Sequence, residues 1–286
     1  MVKLSKLVFG SVALVFAALP QSGFAADTNL PDQVNRKVLR VCSSPENLPY
    51  SNEKGEGFEN KIAEIVADEL KVPIEYTWFP LGMGLARKTL AAKKCDVILQ
   101  TIQADEYTLN TNAYYRSTYA LVFKKTAGLD GVKSIFDPRL KGKKLSNQGG
   151  PVGDQVAKAG LMQDAKSYRL MVDRRYDNPE KEIIDDVRSG AIDVGVVWGP
   201  LGGYAARPYK DELDVVPLVE EMAGTSKLEY RMTMGVRVSE VAWKRQLNDI
   251  IKKRQGDIDK VLLDYGVPLL DEDSKPITMA RKADLP

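Results

Sequence analysis

The sequence predicts an α/β protein made of two similar lobes that are joined by two extended segments. Short apolar runs alternate with amphipathic stretches along most of the chain, which is typical of parallel strands connected by helices. The alternation occurs twice, and in each half an Asp stands at the start of a strand that follows a helix, at Asp96 and Asp193. These two halves and the segments between them predict a hinged protein with a cleft between its lobes.

The composition is that of a globular protein and argues against most enzyme classes. The chain has 286 residues, of which 44% are hydrophobic and 28% charged, so it can form a sizeable core and is neither disordered nor a multi-span membrane protein. It contains no histidine. The usual general base, the Ser-His and Cys-His pairs and the commonest zinc ligand are therefore missing. We expect no catalytic residues, no cofactor and no metal site.

Residues 1–25 are predicted to be a signal peptide. Lys3 and Lys6 form a positive n-region, residues 7–19 are apolar, and residues 23–25 include the small residues of a cleavage site. The apolar run is too short to span a bilayer, so we expect an exported chain without a membrane anchor. Removal of these two of the 41 basic residues leaves 39, equal to the 39 acidic ones, and this balance gives no indication of nucleic-acid binding.

The first half reads as a βαβαβ unit. Its predicted elements are a strand at 38–42, a helix at Phe58–Leu70, a strand at 74–79, a helix at 85–92 and a strand at 96–99. Ile62, Ile65, Val66 and Leu70 recur at helical spacing in the first helix. This order predicts a parallel sheet flanked by helices.

The second half repeats the pattern between two extended crossings. Its predicted elements are a strand beginning at Leu145, a helix at 151–162, a strand at 168–172, a helix at 179–188 and a strand at 192–198, with extended crossings at 119–124 and 230–236 and a helix at 238–254. We predict a first lobe of residues 26–124 plus 230–286 and a second lobe of residues 125–229. Ligands of such sheets meet the carboxyl ends of the strands, which here face the cleft.

The two cysteines leave two interpretations open. Cys42 and Cys95 are both retained after export, and a pair in an oxidising compartment favours a disulfide. If their strands run parallel and in register, however, the two residues lie several positions apart along the strand direction, beyond bonding distance. The alternative is two buried thiols.

Several stretches resemble a known family of binding proteins. RVCSSPENLPYSN at 40–52, GEGFENKIA at 55–63 and YYRSTY at 114–119 resemble the MxaJ/XoxJ family of solute-binding-protein-like accessory proteins of periplasmic PQQ-dependent methanol dehydrogenases. The resemblance implies the bilobal periplasmic binding protein fold of type II and a periplasmic location. It also implies a non-catalytic role in maturation or activation of that dehydrogenase, with the dehydrogenase's cytochrome c as a further candidate partner.

The residues that hold an amino acid in related binding proteins are absent. Those relatives place an arginine after the third strand for the ligand carboxylate and an aspartate at the end of a second-lobe strand for the ammonium. Here the two places read TIQADEY at 101–107 and VVWG at 196–199. The acidic pair Asp105–Glu106 would repel a carboxylate, and Trp198 pairs with an ammonium only through its ring face. The cleft therefore suits something other than a free amino acid.

Aromatic residues at strand ends predict instead a broad apolar groove for a partner segment or a hydrophobic ligand. The predicted cleft residues are Asn47, Tyr50, Phe58, Trp78, Thr101, Tyr107, Tyr115, Trp198 and Tyr204. The alternative is that most of these aromatic rings pack in the core or between the lobes. A different function, a solute-binding receptor of an ABC transporter for a small organic ligand that is not a standard amino acid, would require a sealed and polar cleft.

The missing clamps give a first prediction. None of the twenty amino acids at millimolar concentration should raise the melting temperature, because a ligand at a hundred times its dissociation constant stabilises the native state by about 2.7 kcal/mol. Thermal unfolding with and without each amino acid measures this. A reproducible shift of several degrees with any one of them would contradict the accessory role and favour the solute receptor.

Overall fold

The computed structural model describes residues 33–80, 84–103 and 107–281. The predicted signal peptide and the acidic pair Asp105–Glu106 lie outside the described residues. The strands are β1 (Leu39–Ser43), β2 (Glu46–Asn47), β3 (Ser51–Asn52), β4 (Ile74–Trp78), β5 (Val97–Ile102), β6 (Leu109–Lys124), β7 (Ser146–Asn147), β8 (Lys166–Ser167), β9 (Val194–Trp198), β10 (Leu213–Pro217), β11 (Met222–Ala223), β12 (Ser226–Lys227), β13 (Glu229–Val236), β14 (Leu269–Leu270) and β15 (Pro276–Ile277). The helices are α1 (Phe58–Leu70), α2 (Leu85–Lys88), α3 (Gly150–Lys158), α4 (Pro179–Ser189), α5 (Gly199–Ala206) and α6 (Val241–Asp264).

The long strand β6 belongs to the sheets of both halves. Its first part pairs with β13, from Leu109 opposite Val236 to Thr118 opposite Glu229. From Tyr119 onward it lies between β9 and β10, antiparallel to both. The strand order is β10-β6-β13-β5-β1-β4, with β9 also paired to β6, and β1 runs parallel to β4 and β5.

Separate apolar cores lie along the two parts of β6. One core packs α1 and α6 onto β1, β5 and β13, with Phe58, Ile62 and Leu247 fully buried. The others pack α3 and α4 against β9 and the second part of β6, around Leu121, Phe123 and nearby apolar side chains. The predicted α/β fold of two lobes is confirmed by this arrangement. The residues at which one lobe passes into the other stay a prediction.

Helix α1 forms over the predicted residues because its start is defined by local contacts. Asn60 Oδ1 accepts hydrogen bonds from the backbone N–H groups of Gly57 and Asn52, at 3.0 and 3.1 Å. A Cβ atom at Gly57 would lie 2.1 Å from the carbonyl oxygen of Tyr50, so only glycine fits before this helix. The same close contact between Gly57 and Tyr50 fixes the turn that places Tyr50 at the cleft.

The two Asp residues shared by both halves anchor strands. The carboxylate of Asp96, just before β5, is buried and pairs with Arg40 at 2.7 Å and with Arg237 at 2.6 Å. Asp193, just before β9, accepts a hydrogen bond from the backbone N–H of Lys144 at 2.8 Å. In each lobe the aspartate thus ties the start of one strand to a distant segment.

Several element predictions are wrong in extent. Helix α2 ends at Lys88 and not at 92, and the predicted strand at 168–172 is replaced by the short strand β8, after which the chain turns. Helix α5 and strand β10 were not predicted, and α6 continues ten residues beyond its predicted end after a kink at Arg254. The glycines of α5 resemble a turn in sequence, and its helix depends on tertiary packing.

Cys42 and Cys95 form a disulfide, with their Cα atoms 5.5 Å apart. The register of β1 and β5 pairs Val41 with Val97, which would separate the cysteines along straight strands. Cys95 lies before β5 begins, however, and the preceding segment turns at Lys93, which has a φ of 59°. Thr77 Oγ1 donates to the carbonyl oxygen of Lys94 at 3.0 Å and draws this segment toward β4. The turn therefore brings Cys95 to Cys42.

The disulfide gives a prediction about stability. We expect the Cys42→Ala/Cys95→Ala variant to lose about 4 kcal/mol of unfolding free energy, because the bond closes a loop across 53 residues. Equilibrium unfolding in urea measures the loss. Dithiothreitol should destabilise the unmutated protein and leave the variant unchanged. Equal urea midpoints for the two proteins would contradict the expectation.

Candidate inter-lobe site

Trp198 and Tyr50 form a direct contact between the lobes. Trp198 ends β9 in the second half, and Tyr50 lies in the turn between β2 and β3 in the first. The indole Nε1–H of Trp198 donates a hydrogen bond to the hydroxyl oxygen of Tyr50 at 2.8 Å. Tyr50 is buried, and burial raises the pKa of its hydroxyl. The bond thus joins two neutral groups, of which the tyrosine is buried and the indole is partly buried.

Two further rings surround Trp198 where the chain crosses between the lobes. Tyr119 of β6 stands opposite Trp198 in the strand register, and Tyr230 belongs to β13. The Trp198 ring meets these two tyrosines edge to face, with centroids 5.4 and 5.3 Å apart. This geometry is the favourable one for aromatic pairs. The predicted cleft residue Trp198 is therefore held by the crossing strands as well as by Tyr50.

Helix α5 reaches the first lobe through close backbone contacts. A Cβ atom at Gly203 would lie 1.9 Å from the carbonyl oxygen of Gly266, and one at Gly199 would lie 2.3 Å from that of Thr118. Tyr204 stacks on Tyr265 with ring centroids 5.9 Å apart. The glycines of α5, which hid this helix from sequence reasoning, are thus required by the approach of the two backbones.

The other predicted cleft residues have varied surroundings. Phe58 and Tyr115 are fully buried core residues, since the Phe58 ring packs against Tyr50 at 5.0 Å and Tyr115 at 6.1 Å. Asn47 is buried, and its Nδ2 lies 3.4 Å from Gln100 Oε1. The Thr101 hydroxyl bonds to Thr233 within the sheet at 2.8 Å.

Trp78 and Tyr107 are not brought into the Trp198 contact. The half-buried Trp78 ring stacks on Tyr76 with centroids 4.5 Å apart. Tyr107 is an exposed surface residue. The sequence pattern placed both at strand ends, but the direction in which each strand end points decides whether its ring meets the second lobe.

Two cavities lie between segments of the two halves. The first, of about 220 Å³, is lined by Leu48, Pro49, Arg174, Asn178, Glu180, Lys181, Ile184, Asp185, Leu201, Tyr204, Ala205, Arg207, Pro208 and Tyr209. The second, of about 340 Å³, is lined by Ser44, Pro45, Glu46, Pro80, Val172, Asp173, Arg174 and Arg175. Of the predicted cleft residues, Tyr204 alone lines either of these two cavities. Aromatic rings thus pack between the lobes, and two cavities lined by both charged and apolar residues lie between segments of the two halves.

Arg174 lines both cavities and was missed by sequence reasoning. Its guanidinium pairs with the buried carboxylate of Glu180 through contacts of 3.0 and 3.2 Å. The side-chain amide of Gln148 donates to the same carboxylate at 3.2 Å. The only signal in the sequence was Glu180, an acidic residue in the first turn of a predicted helix. An acidic residue there is common, because it interacts favourably with the helix dipole.

Known proteins are similar to this chain in sequence and in fold. No family model matches the chain. Protein MoxJ of Methylorubrum extorquens is 30% identical over 260 residues, which cover 86% of this chain and 85% of MoxJ. The chain belongs to the MoxJ family. The solved structure of the periplasmic binding protein XoxJ from Methylobacterium extorquens AM1 is 41% identical, with a TM-score of 0.67 over 82% of this chain and all of that one.

Further structures agree with the family and with the fold class. MxaJ from Methlophaga aminisulfidivorans is 25% identical and superposes with a TM-score of 0.68 over 81% of this chain and all of MxaJ. An ancestral cationic amino acid solute binding protein, 22% identical, superposes with a TM-score of 0.61 over 81% of this chain and 96% of its own; this likeness concerns the fold alone. The predicted type II binding protein fold is confirmed. Within the described residues, no helix is both long and apolar enough to cross a membrane.

Glu59 carries a buried carboxyl group next to Tyr50. Glu59, in the first turn of α1, is buried, and its backbone N–H donates to the carbonyl oxygen of Tyr50 at 2.8 Å. Its Oε1 has no hydrogen-bond partner among the described residues. Burial raises the pKa of Glu59 from 4.5 to about 8, although the helix N-terminus favours a negative charge. The side chain is therefore mostly protonated at neutral pH.

Glu59 predicts a pH-dependent stability. The folded protein binds this proton more tightly than the unfolded chain, so the free energy of unfolding falls as pH rises from about 4.5 to about 8. Glu59→Gln, which keeps the shape without the charge, should remove this fall. At pH 8 its free energy of unfolding should be a few kcal/mol greater than that of the unmutated protein. Urea unfolding at pH 5, 6.5 and 8 measures it.

Glu64→Gln provides the matched control, because Glu64 lies on the same helix with its side chain largely exposed. It should leave the pH dependence unchanged. Parallel stability curves for Glu59→Gln and the unmutated protein would contradict a protonated Glu59.

Proposed function

We propose that the chain is a non-catalytic periplasmic accessory protein that assists maturation or activation of a PQQ-dependent methanol dehydrogenase. Membership of the MoxJ family supports this proposal, and the periplasmic binding protein fold of XoxJ supports the location. The observation that carries it is the hydrogen bond between Trp198 and Tyr50. The resemblance places the ammonium-binding aspartate of amino-acid-binding relatives at the end of a second-lobe strand, and here the end of β9 is used to join the lobes.

The cleft would bind an apolar segment of the dehydrogenase by exchange of contacts. The Trp198 ring would exchange its contacts with Tyr50, Tyr119 and Tyr230 for contacts with aromatic or aliphatic side chains of the segment. Buried aromatic anchors of this kind carry much of the binding free energy of interfaces. Because the mature chain has balanced charges, association would depend on this contact more than on long-range attraction. The cytochrome c of the dehydrogenase is a further candidate partner.

A solute-binding receptor of an ABC transporter is the second candidate function. The first cavity favours it, because Arg174 and Glu180 present charged groups to a space large enough for a small organic molecule. The ligand would differ from the standard amino acids, whose clamps are absent. Neighbouring permease and ATPase genes would support this receptor, and a neighbouring dehydrogenase and cytochrome would support the accessory role.

Trp198 tests the accessory role directly. Trp198→Ala should raise the dissociation constant for a purified PQQ-dependent methanol dehydrogenase about 30-fold, the equivalent of about 2 kcal/mol for an aromatic anchor. Trp198→Phe keeps a ring and loses the N–H, so its dissociation constant should lie between those of Trp198→Ala and the unmutated protein. Titration calorimetry gives the constants, and activation of the dehydrogenase is assayed in parallel.

Trp78→Ala is the matched control, since Trp78 is half-buried and stacked on Tyr76 rather than on the rings around Trp198. It should bind as the unmutated protein does. If Trp198 serves only for packing, Trp198→Ala will destabilise the fold by a few kcal/mol and leave binding intact. If the unmutated protein does not bind the dehydrogenase, the proposed accessory role is contradicted.

A further inference from the structure

A short segment of the second half exposes three large apolar side chains. We call residues 169–177, which follow β8 and precede α4, the anchor loop. Within it the exposed fractions are 50% for Leu170, 89% for Met171 and 81% for Tyr176. Single exposed apolar residues are common on protein surfaces, but three within seven positions of one loop mark an interaction surface.

The anchor loop is held in one conformation by paired charges. Arg169 donates to both carboxylate oxygens of Asp177 at 3.0 Å, and this pair closes the two ends of the loop. Arg175 Nε donates to Asp173 at 2.9 Å, and its guanidinium lies 5.4 Å from the centre of the Tyr176 ring. Forked pairs of this kind fix geometry. The loop backbone that carries the exposed side chains thus has ordered contacts before binding, which lowers the entropy lost on docking.

The charges of the anchor loop are compensated within the protein. Its arginines pair with Asp177, with Asp173 and, for Arg174, with the buried Glu180 just outside the loop. The loop therefore offers an apolar surface without a net charge for an opposite charge to match. The complementary surface is apolar and uncharged, and its contribution should not depend on salt.

The position of the loop indicates which molecule it meets. Residues 172–175 line the cavity of about 340 Å³ opposite Ser44, Pro45 and Glu46 of the first half, so the loop borders the same inter-lobe site. The three side chains expose roughly 400 Å², which is about half of the ~800 Å² per partner in a stable complex. A second copy docked here alone would be too weakly held. A partner that also enters the cleft would supply the remaining area.

We propose that the anchor loop docks an uncharged apolar patch on the folded surface of the dehydrogenase whose segment occupies the cleft. This inference rests on the proposed function. It adds a second contact outside the cleft, in which Met171 and Tyr176 are the anchors and the Arg169–Asp177 pair is the positioning element.

The test compares two matched double variants in calorimetric titrations with the purified dehydrogenase at 50 and 500 mM salt. Met171→Ala/Tyr176→Ala should raise the dissociation constant at least tenfold, by the same factor at both salt concentrations. Phe136→Ala/Met279→Ala removes one aromatic ring and one methionine with exposed fractions of 51% and 79% elsewhere, and should bind as the unmutated protein does. Asp177→Asn, which leaves the apolar side chains in place, should weaken binding less. Unchanged melting temperatures verify the folds.

The outcomes separate this inference from the proposed function. Equal dissociation constants for Met171→Ala/Tyr176→Ala and the unmutated protein overturn the anchor loop and leave the cleft contact standing. If the dissociation constants of Met171→Ala/Tyr176→Ala and the unmutated protein differ at 50 mM salt but not at 500 mM, the contact is not apolar and the inference is overturned. A self-associated protein that Met171→Ala/Tyr176→Ala dissociates identifies a second copy as the occupant and also overturns the inference. If the unmutated protein does not bind the dehydrogenase, both proposals fail.

Discussion

The hydrogen-bond ladder of β6 is the constraint on which the rest of the structure depends. This strand of 16 residues pairs with β13 along its first part and with β9 and β10 along its second. Because backbone hydrogen bonds to β13 fix its first part and those to β9 and β10 fix its second, each lobe is built against one part of the same chain segment. The change of partners occurs at Tyr119, and the contacts of Trp198 and Tyr230 with that ring follow from it. The inter-lobe site is therefore a consequence of strand pairing.

The inter-lobe contact is made by neutral rings and by backbone in van der Waals contact. Trp198 bonds to Tyr50, and Gly203 lies against Gly266 where no side chain would fit. A ligand or a partner segment that enters must replace these contacts, so its affinity is the difference between two sets of interactions. Apolar and aromatic groups are suited to this exchange, whereas a free amino acid finds neither of its clamps.

The charged residues mainly fix geometry around the neutral contact. Asp96 pairs with two arginines at the start of β5, and Arg174, which lines both cavities, pairs with Glu180. The pairs of the anchor loop have the same effect on an exposed surface. Pairs that are buried or forked keep side chains in place with little net attraction for a distant charge. Under the proposed function, apolar groups would recognise the partner and the charged pairs would position them.

The sequence by itself determined the α/β class, the strands β1, β4 and β9, helix α1 and the family, because these depend on local periodicity and on short motifs. Tertiary structure decided the rest. The glycines of α5 read as a turn, and only the approach of Gly203 to Gly266 explains their helix. The disulfide depends on a turn at Lys93. The strand register alone argues against a bond between the two cysteines. Phe58 and Trp198 both looked like cleft residues, yet one is core and the other joins the lobes, since burial is decided by packing between segments far apart in the chain.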